Sequence, residues 1–152
     1  MLPPAVRIVR RTTELMGEEL LQPTSQFVKA QGINHHYLDW GNPTAPPLLL
    51  LHAVGLSAST WNRAARSLSA DFHVMCFDQR GHGDTESTDQ NLTFHQMGED
   101  LAEVIRLMGF EGVDTVGHSL GGMATMIADS LQPGIIGRSV LIESRVGPPP
   151  AS

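Results

Sequence analysis

The chain has 152 residues, 41% hydrophobic and 17% charged, a balance that fits one globular core and excludes a chain too polar to fold. Ten basic residues against sixteen acidic ones leave a formal net charge of −6, which speaks against nucleic acid or an anionic membrane surface as partner. No apolar run approaches the length of a bilayer span, and the single cysteine, Cys76, has no partner for an internal disulfide.

Residues 1–23 read as an appended segment. Arg7, Arg10 and Arg11 precede neither an uninterrupted apolar core nor a small-residue cleavage site, so no secretory leader is expected and a cytoplasmic location is the default. Thr13 to Leu21 has the composition of a short helix, weakened by Gly17 and ended by Pro23. Two strand-like runs follow, Gln26 to Ala30 and His35 to Trp40, separated by Gln31-Gly32-Ile33-Asn34; the pattern predicts an antiparallel hairpin. After a Pro-rich break, Leu48 to Leu51 is apolar at every position, as a central strand covered on both faces has to be.

Ser57 to Leu68 is a helix candidate with Trp61, Ala64, Ala65 and Leu68 on one face. His73 to Phe77 is the next buried strand, and Cys76 within it reads as a core residue rather than a reactive thiol. Gly81 to Asn91 is a polar loop. Thr93-Phe94-His95-Gln96 has capping-box spacing and opens a helix whose apolar stripe is Phe94, Met97, Leu101, Val104, Ile105 and Met108, stopped by Gly109. Val113 to Val116 is a strand, Leu120 to Leu131 a helix, and Ser139 to Ile142 a last strand that leaves an uncovered apolar edge open to self-association. Strands buried on both faces and alternating with helices predict an α/β fold: a doubly wound, mostly parallel sheet preceded by the antiparallel hairpin. The domain spans residues 24–147, and residues 148–152 form a Pro-rich tail.

Gly117-His118-Ser119-Leu120-Gly121 places Gly-x-Ser-x-Gly between a β-branched run and a helical segment, which is the context of a nucleophile elbow. A serine there sits in a strained turn, and near-absent side chains two residues before and after it let strand and helix pass closely. The segment resembles the elbow of the α/β-hydrolase superfamily. Two upstream stretches agree in order: Leu48 to Gly55, similar to the family's strand and His-Gly-x-x-Gly, and Phe77-Asp78-Gln79-Arg80-Gly81-His82-Gly83, similar to its Asp-x-Arg-Gly-x-Gly turn. The resemblance covers residues 25 to 147 and corresponds to the N-terminal part of the family fold, a truncated version of it.

The resemblance implies that Ser119 is the catalytic nucleophile, that the Leu120 amide holds the oxyanion, and that the Val54 amide is the second donor, although Ala53 stands where the family has glycine. Glu143, at the end of the last strand, occupies a place where some members carry the triad acid; the other reading is a loop carboxylate at the pocket rim. His52, His82, His118, Asp78 and Arg80 are expected to shape the loops rather than react. His35, His36, His73 and His95 show no metal-ligand spacing, and neither metal nor cofactor is called for. No histidine follows His118, so the base of a Ser-His-acid triad is missing from this sequence. Two functions remain open: a serine-dependent hydrolase of a small-molecule ester or related acyl bond, incomplete as this chain, or a catalytically inactive fragment that at most binds a partner. The motif does not separate esterase from thioesterase, lactonase, carbon–carbon hydrolase, acyltransferase or perhydrolase. Serine instead of aspartate at the elbow counts against the dehalogenase and epoxide-hydrolase branches.

Overall fold

The structure, a computed structural model, describes residues 21–144. The helix expected from Thr13 and the tail 148–152 lie outside the described residues.

Six strands form one sheet in the order β1-β2-β4-β3-β5-β6, where β1 is Thr24–Ala30, β2 Ile33–Asp39, β3 Pro47–Leu51, β4 His73–Phe77, β5 Val113–His118 and β6 Ile136–Ile142. The first two pair antiparallel with each other, β2 is antiparallel to β4, and the remaining pairs are parallel. The helices between the parallel strands are α1 (Asn62–Leu68), α2 (Phe94–Leu107) and α3 (Leu120–Leu131).

Alternation along β3 sets the two cores. Leu49 and Leu51 face α2 and α3 together with Met75, Phe77, Leu101, Ile105 and Ala124. Leu48 and Leu50 face the other way, onto Trp40, Ala58, Ala65, Val74 and Cys76. All four leucines are buried, so the run of apolar residues reflects cover on both faces of a central strand. Burial pushes the Cys76 thiol up to about 12, which leaves it protonated and inert.

Four expectations need correction. The hairpin turn is the two residues Gln31 and Gly32, both at positive φ (48° and 81°), so Ile33 and Asn34 belong to β2 and Trp40 lies beyond it. A two-residue turn with both central residues left-handed matches the right-handed twist of the strands, which a type I or II turn of the same length would splay. The helix expected from Ser57 is a 3-10 turn over Ala58–Trp61 followed by α1, and Ala64 is exposed. Phe94, the first residue of α2, is exposed as well, and the buried stripe of that helix starts at Met97. The capping box is half made: Thr93 Oγ1 accepts from the Gln96 amide at 3.1 Å, but the Gln96 side chain donates to Asp100 instead.

Candidate active site

The C-terminal ends of the parallel strands converge on Ser119. It is the single residue between β5 and α3, with φ 48° and ψ −105°. A side chain in the left-handed region costs on the order of 1–3 kcal/mol, so the surroundings have to enforce it. Three hydrogen bonds do so: Ser119 N donates to Ile142 O (2.8 Å), and Ser119 O accepts from Met123 N (3.1 Å) and Ser144 Oγ (3.2 Å). The glycines supply the clearance. A Cβ on Gly117 would lie 2.5 Å from the Gly122 amide nitrogen, and one on Gly121 would collide with the Leu51 carbonyl. The Ser119 side chain is left half-buried at the rim of the sheet.

Leu120 is the first residue of α3, where an amide has no carbonyl one turn back to donate to, and the helix dipole adds positive potential there. The loop after β3 carries Ala53, buried, and Val54, whose surface is 70% exposed. Backbone bonds pin this loop: Leu56 N to Ala53 O at 3.1 Å and Gly55 N to His82 Nε2 at 3.1 Å. His52 anchors it from below. Its Nδ1 donates to Ala53 O (2.8 Å), its Nε2 accepts from Gln79 N (3.1 Å), and its carbonyl accepts from Gln79 Nε2 (2.6 Å).

The turn after β4 is tied down in the same way. Asp78 accepts from Ala58 N (2.6 Å), Asp84 N (3.0 Å) and His36 Nδ1 (2.7 Å), joining the start of the 3-10 turn to the loop that follows β4. Arg80 donates through Nε and Nη2 to the two Asp100 oxygens at 2.7 and 2.8 Å, both side chains buried.

A sequence model of the alpha/beta hydrolase family matches residues 48–152. The chain belongs to that family. A non-heme chloroperoxidase of Streptomyces lividans is 33% identical over 121 residues, 76% of this chain and 42% of that protein. A bifunctional esterase/perhydrolase of Acinetobacter calcoaceticus is 33% identical over 92 residues, 60% of this chain and 33% of that protein. The crystal structure of an N-formylmaleamic acid deformylase from Pseudomonas putida is similar with a TM-score of 0.76 at 29% identity, over 85% of this chain and 50% of that one. The matched part of the chain spans 33–42% of the length of these curated relatives.

Among the described residues of this alpha/beta hydrolase chain, none of the histidine side-chain hydrogen bonds or ion pairs involves Ser119. His36 bonds Ser25 and Asp78, His73 bonds Asp39, and His82 bonds Gly55 N and Arg80 O. His95 lies by Glu99, His118 by Glu143, and His35 Nε2 stands 4.0 Å from Asp100. Glu143, at φ 49°, has its carboxylate mostly in solvent, 3.4 Å from His118 Nε2. Among the described residues His36, Asp78 and Asp84 come close enough to share an ion, but the His36–Asp78 hydrogen bond already accounts for their approach. Two clefts of about 490 and 450 Å³ open at the far end of the sheet, around Gln132 and Arg106, remote from Ser119. Among the described residues no helix is long and apolar enough to cross a membrane.

Sequence reasoning missed two residues that hold the site. Asp100 falls three residues after Met97 and four before Val104, so a carboxylate inside the apolar stripe of α2 was a readable sign of a buried cation. Ser144 gave no signal, because its role depends on where β6 ends.

Burial holds both His35 and His52 below the ordinary histidine value of 6.5. A depressed histidine is neutral in the folded state and takes up a proton first when unfolded, so stability is full above about pH 6.5 and falls as pH drops below it. Urea midpoints are expected to be flat from pH 7 to 8 and to fall from pH 6.5 to 5.5, with a slope of at most about 1.4 kcal/mol per pH unit for each histidine. His35→Gln should flatten part of that slope.

Proposed function

We propose that Ser119 is the nucleophile of a hydrolase acting on a small-molecule ester or related acyl bond through an acyl-serine. Its backbone carries the reading: a half-exposed serine is held at φ 48° between a parallel strand and a helix N-terminus. The hydroxyl attacks the carbonyl carbon, and the Leu120 amide, with that of Val54, holds the oxyanion. One such donor contributes roughly a hundred- to a thousand-fold in rate. Glu143 fits the acid that orients a histidine, its carboxylate being open to solvent on the loop after β6. Serine at this position counts against the dehalogenase and epoxide-hydrolase branches, which the family resemblance associates with a carboxylate nucleophile, and the esterase among the chain's relatives supports the acyl-transfer reading.

The histidine census limits what these 152 residues do by themselves. Loss of a triad base leaves only about a thousand-fold acceleration from binding and the oxyanion hole. The chain is therefore expected to hydrolyse p-nitrophenyl acetate slowly, to respond to added imidazole beyond imidazole's own rate, and to lose that increment in Ser119→Ala. A fluorophosphonate adduct located at Ser119 by peptide mass checks the same point. The same census favours a second reading, a non-catalytic binding module. It predicts neither an adduct at Ser119 nor an imidazole increment, and that pair of results would overturn the hydrolase.

A further inference from the structure

A second hydroxyl in the molecule stands in a Ser-His-Asp arrangement, far from the elbow. Ser25 Oγ lies 2.7 Å from His36 Nε2, and His36 Nδ1 lies 2.7 Å from Asp78 Oδ2. The protons can be placed by elimination. Asp78 already accepts from two backbone amides, Ala58 N and Asp84 N, so both its oxygens act as acceptors and His36 Nδ1 has to be the donor. A neutral imidazole with its proton on Nδ1 presents a lone pair at Nε2, and the Ser25 hydroxyl donates to it. That is the tautomer a general base needs.

The imidazole is fixed as well as oriented. His36 is 3% exposed, its amide donates to Thr85 Oγ1 (3.0 Å) and its carbonyl accepts from Asp78 N (3.0 Å). Ser25 is an exposed residue on β1, an edge strand, and its bond to His36 is partly buried. Phe27 lies two residues on, on the same face, 58% exposed with its ring 5.1 Å from the His36 ring. An apolar ring left in water beside a base-paired hydroxyl is a platform for an aromatic group. The site stands four strand spacings from β5, about 19 Å, so it is separate from Ser119.

We propose that Ser25 is a second nucleophile, with His36 as its base and Asp78 as the positioning residue, and that it takes acyl groups from aryl esters. Ser25 Oγ bonds to the acyl carbon, the bond from that carbon to the phenolic oxygen breaks, and the serine proton passes to His36 Nε2 and on to solvent. The aryl class fits because a phenolate leaves without needing a proton and its ring can lie against Phe27. The product is an acyl-serine and a free phenolate.

The test is made in the full chain carrying Ser119→Ala, so that the outcome is independent of the elbow. After exposure to p-nitrophenyl acetate, acetylation is mapped by peptide mass spectrometry, with Lys29, the only lysine, and the exposed Ser67 as internal references. Ser25 is expected to acetylate at least about a hundred-fold faster than Ser67, the share of a positioned general base. His36→Gln should remove that advantage while Lys29 acetylation stays unchanged, and Phe27→Ala should slow Ser25 alone. Ser25 reacting no faster than Ser67 would overturn the proposal even if His36→Gln proved unstable, and an advantage that survives His36→Gln in a folded chain would overturn it too.

Discussion

Asp100→Ala is expected to destabilise the chain by about 3–5 kcal/mol, the cost of leaving a buried guanidinium without its carboxylate. Arg80 and Asp100 have side chains only 5% and 6% exposed, and their two hydrogen bonds are short and parallel. The paired carboxylate holds the Arg80 guanidinium above its ordinary value, and removing it leaves a buried cation beside His35 with only the partly exposed Glu99 carboxylate to offset it. Against a total stability of about 5–15 kcal/mol, the loss is large enough to unfold a marginal domain. Urea unfolding checks this: the midpoint should fall while the slope stays constant. The double change Arg80→Met, Asp100→Leu should recover most of the loss, because two apolar side chains remove the desolvation cost of both ions. A drop below about 1 kcal/mol in Asp100→Ala would mean that water reaches the pair.

The consequence reaches the site through the turn after β4. Arg80 fixes the backbone of residues 78–82, and that backbone carries Gln79 against His52 and His82 against the Gly55 amide. The loop bearing Val54 thus rests on an ion pair on the far side of the sheet. In Asp100→Ala at low denaturant, reactivity at Ser119 should fall further than the unfolded fraction accounts for, as the Val54 amide, the proposed second oxyanion donor, loses its support.

How much of this was legible in the sequence depended on whether a residue's role was local. Leu48 to Leu51 and His73 to Phe77 announce central strands because burial on both faces leaves no room for polar residues. The elbow is legible for a similar reason: Gly117 and Gly121 are demanded by contacts within a few residues of Ser119 and against the neighbouring strand. The start of β6 was hidden, since Ile136-Gly137-Arg138 lacks a strand's apolar content. Its reasons are non-local: a Cβ on Gly137 would meet the Gly112 carbonyl, and Arg138 is drawn to Asp114 on β5 with Nη2 at 2.6 Å. The Ser25–His36–Asp78 chain was equally invisible, because its three members come from two strands and a turn that only the finished sheet brings together.

Gly121→Ala should be the more damaging of two neighbouring glycine changes in the elbow. The added methyl at 121 meets β3 at the carbonyl group and the Cβ of Leu51, all held in place by a backbone that is paired into the sheet and cannot yield. At Gly122 the same methyl meets Ser144 Oγ, which can rotate away, and Ser144 Cβ at 2.6 Å, which yields only if the backbone past the end of β6 shifts; the Gly117 carbonyl is 3.3 Å off. Overpacking against rigid backbone costs about 1–3 kcal/mol and sometimes more, so Gly121→Ala is expected at about 3 kcal/mol and Gly122→Ala near 1 kcal/mol. The functional readout should separate them further. Relief at 121 requires α3 to move off β3, which displaces the Leu120 amide, the proposed first oxyanion donor, and is expected to cost about a hundred-fold in Ser119 reactivity, the value of one such donor. Relief at 122 displaces Ser144, which lies past the end of β6, with loss of its bond to the Ser119 carbonyl, and leaves Leu120 in place. Urea midpoints and adduct formation at Ser119 measured on both variants decide the matter: equal losses at the two positions would mean that α3 is free to shift and that the elbow is not held by its contact with β3.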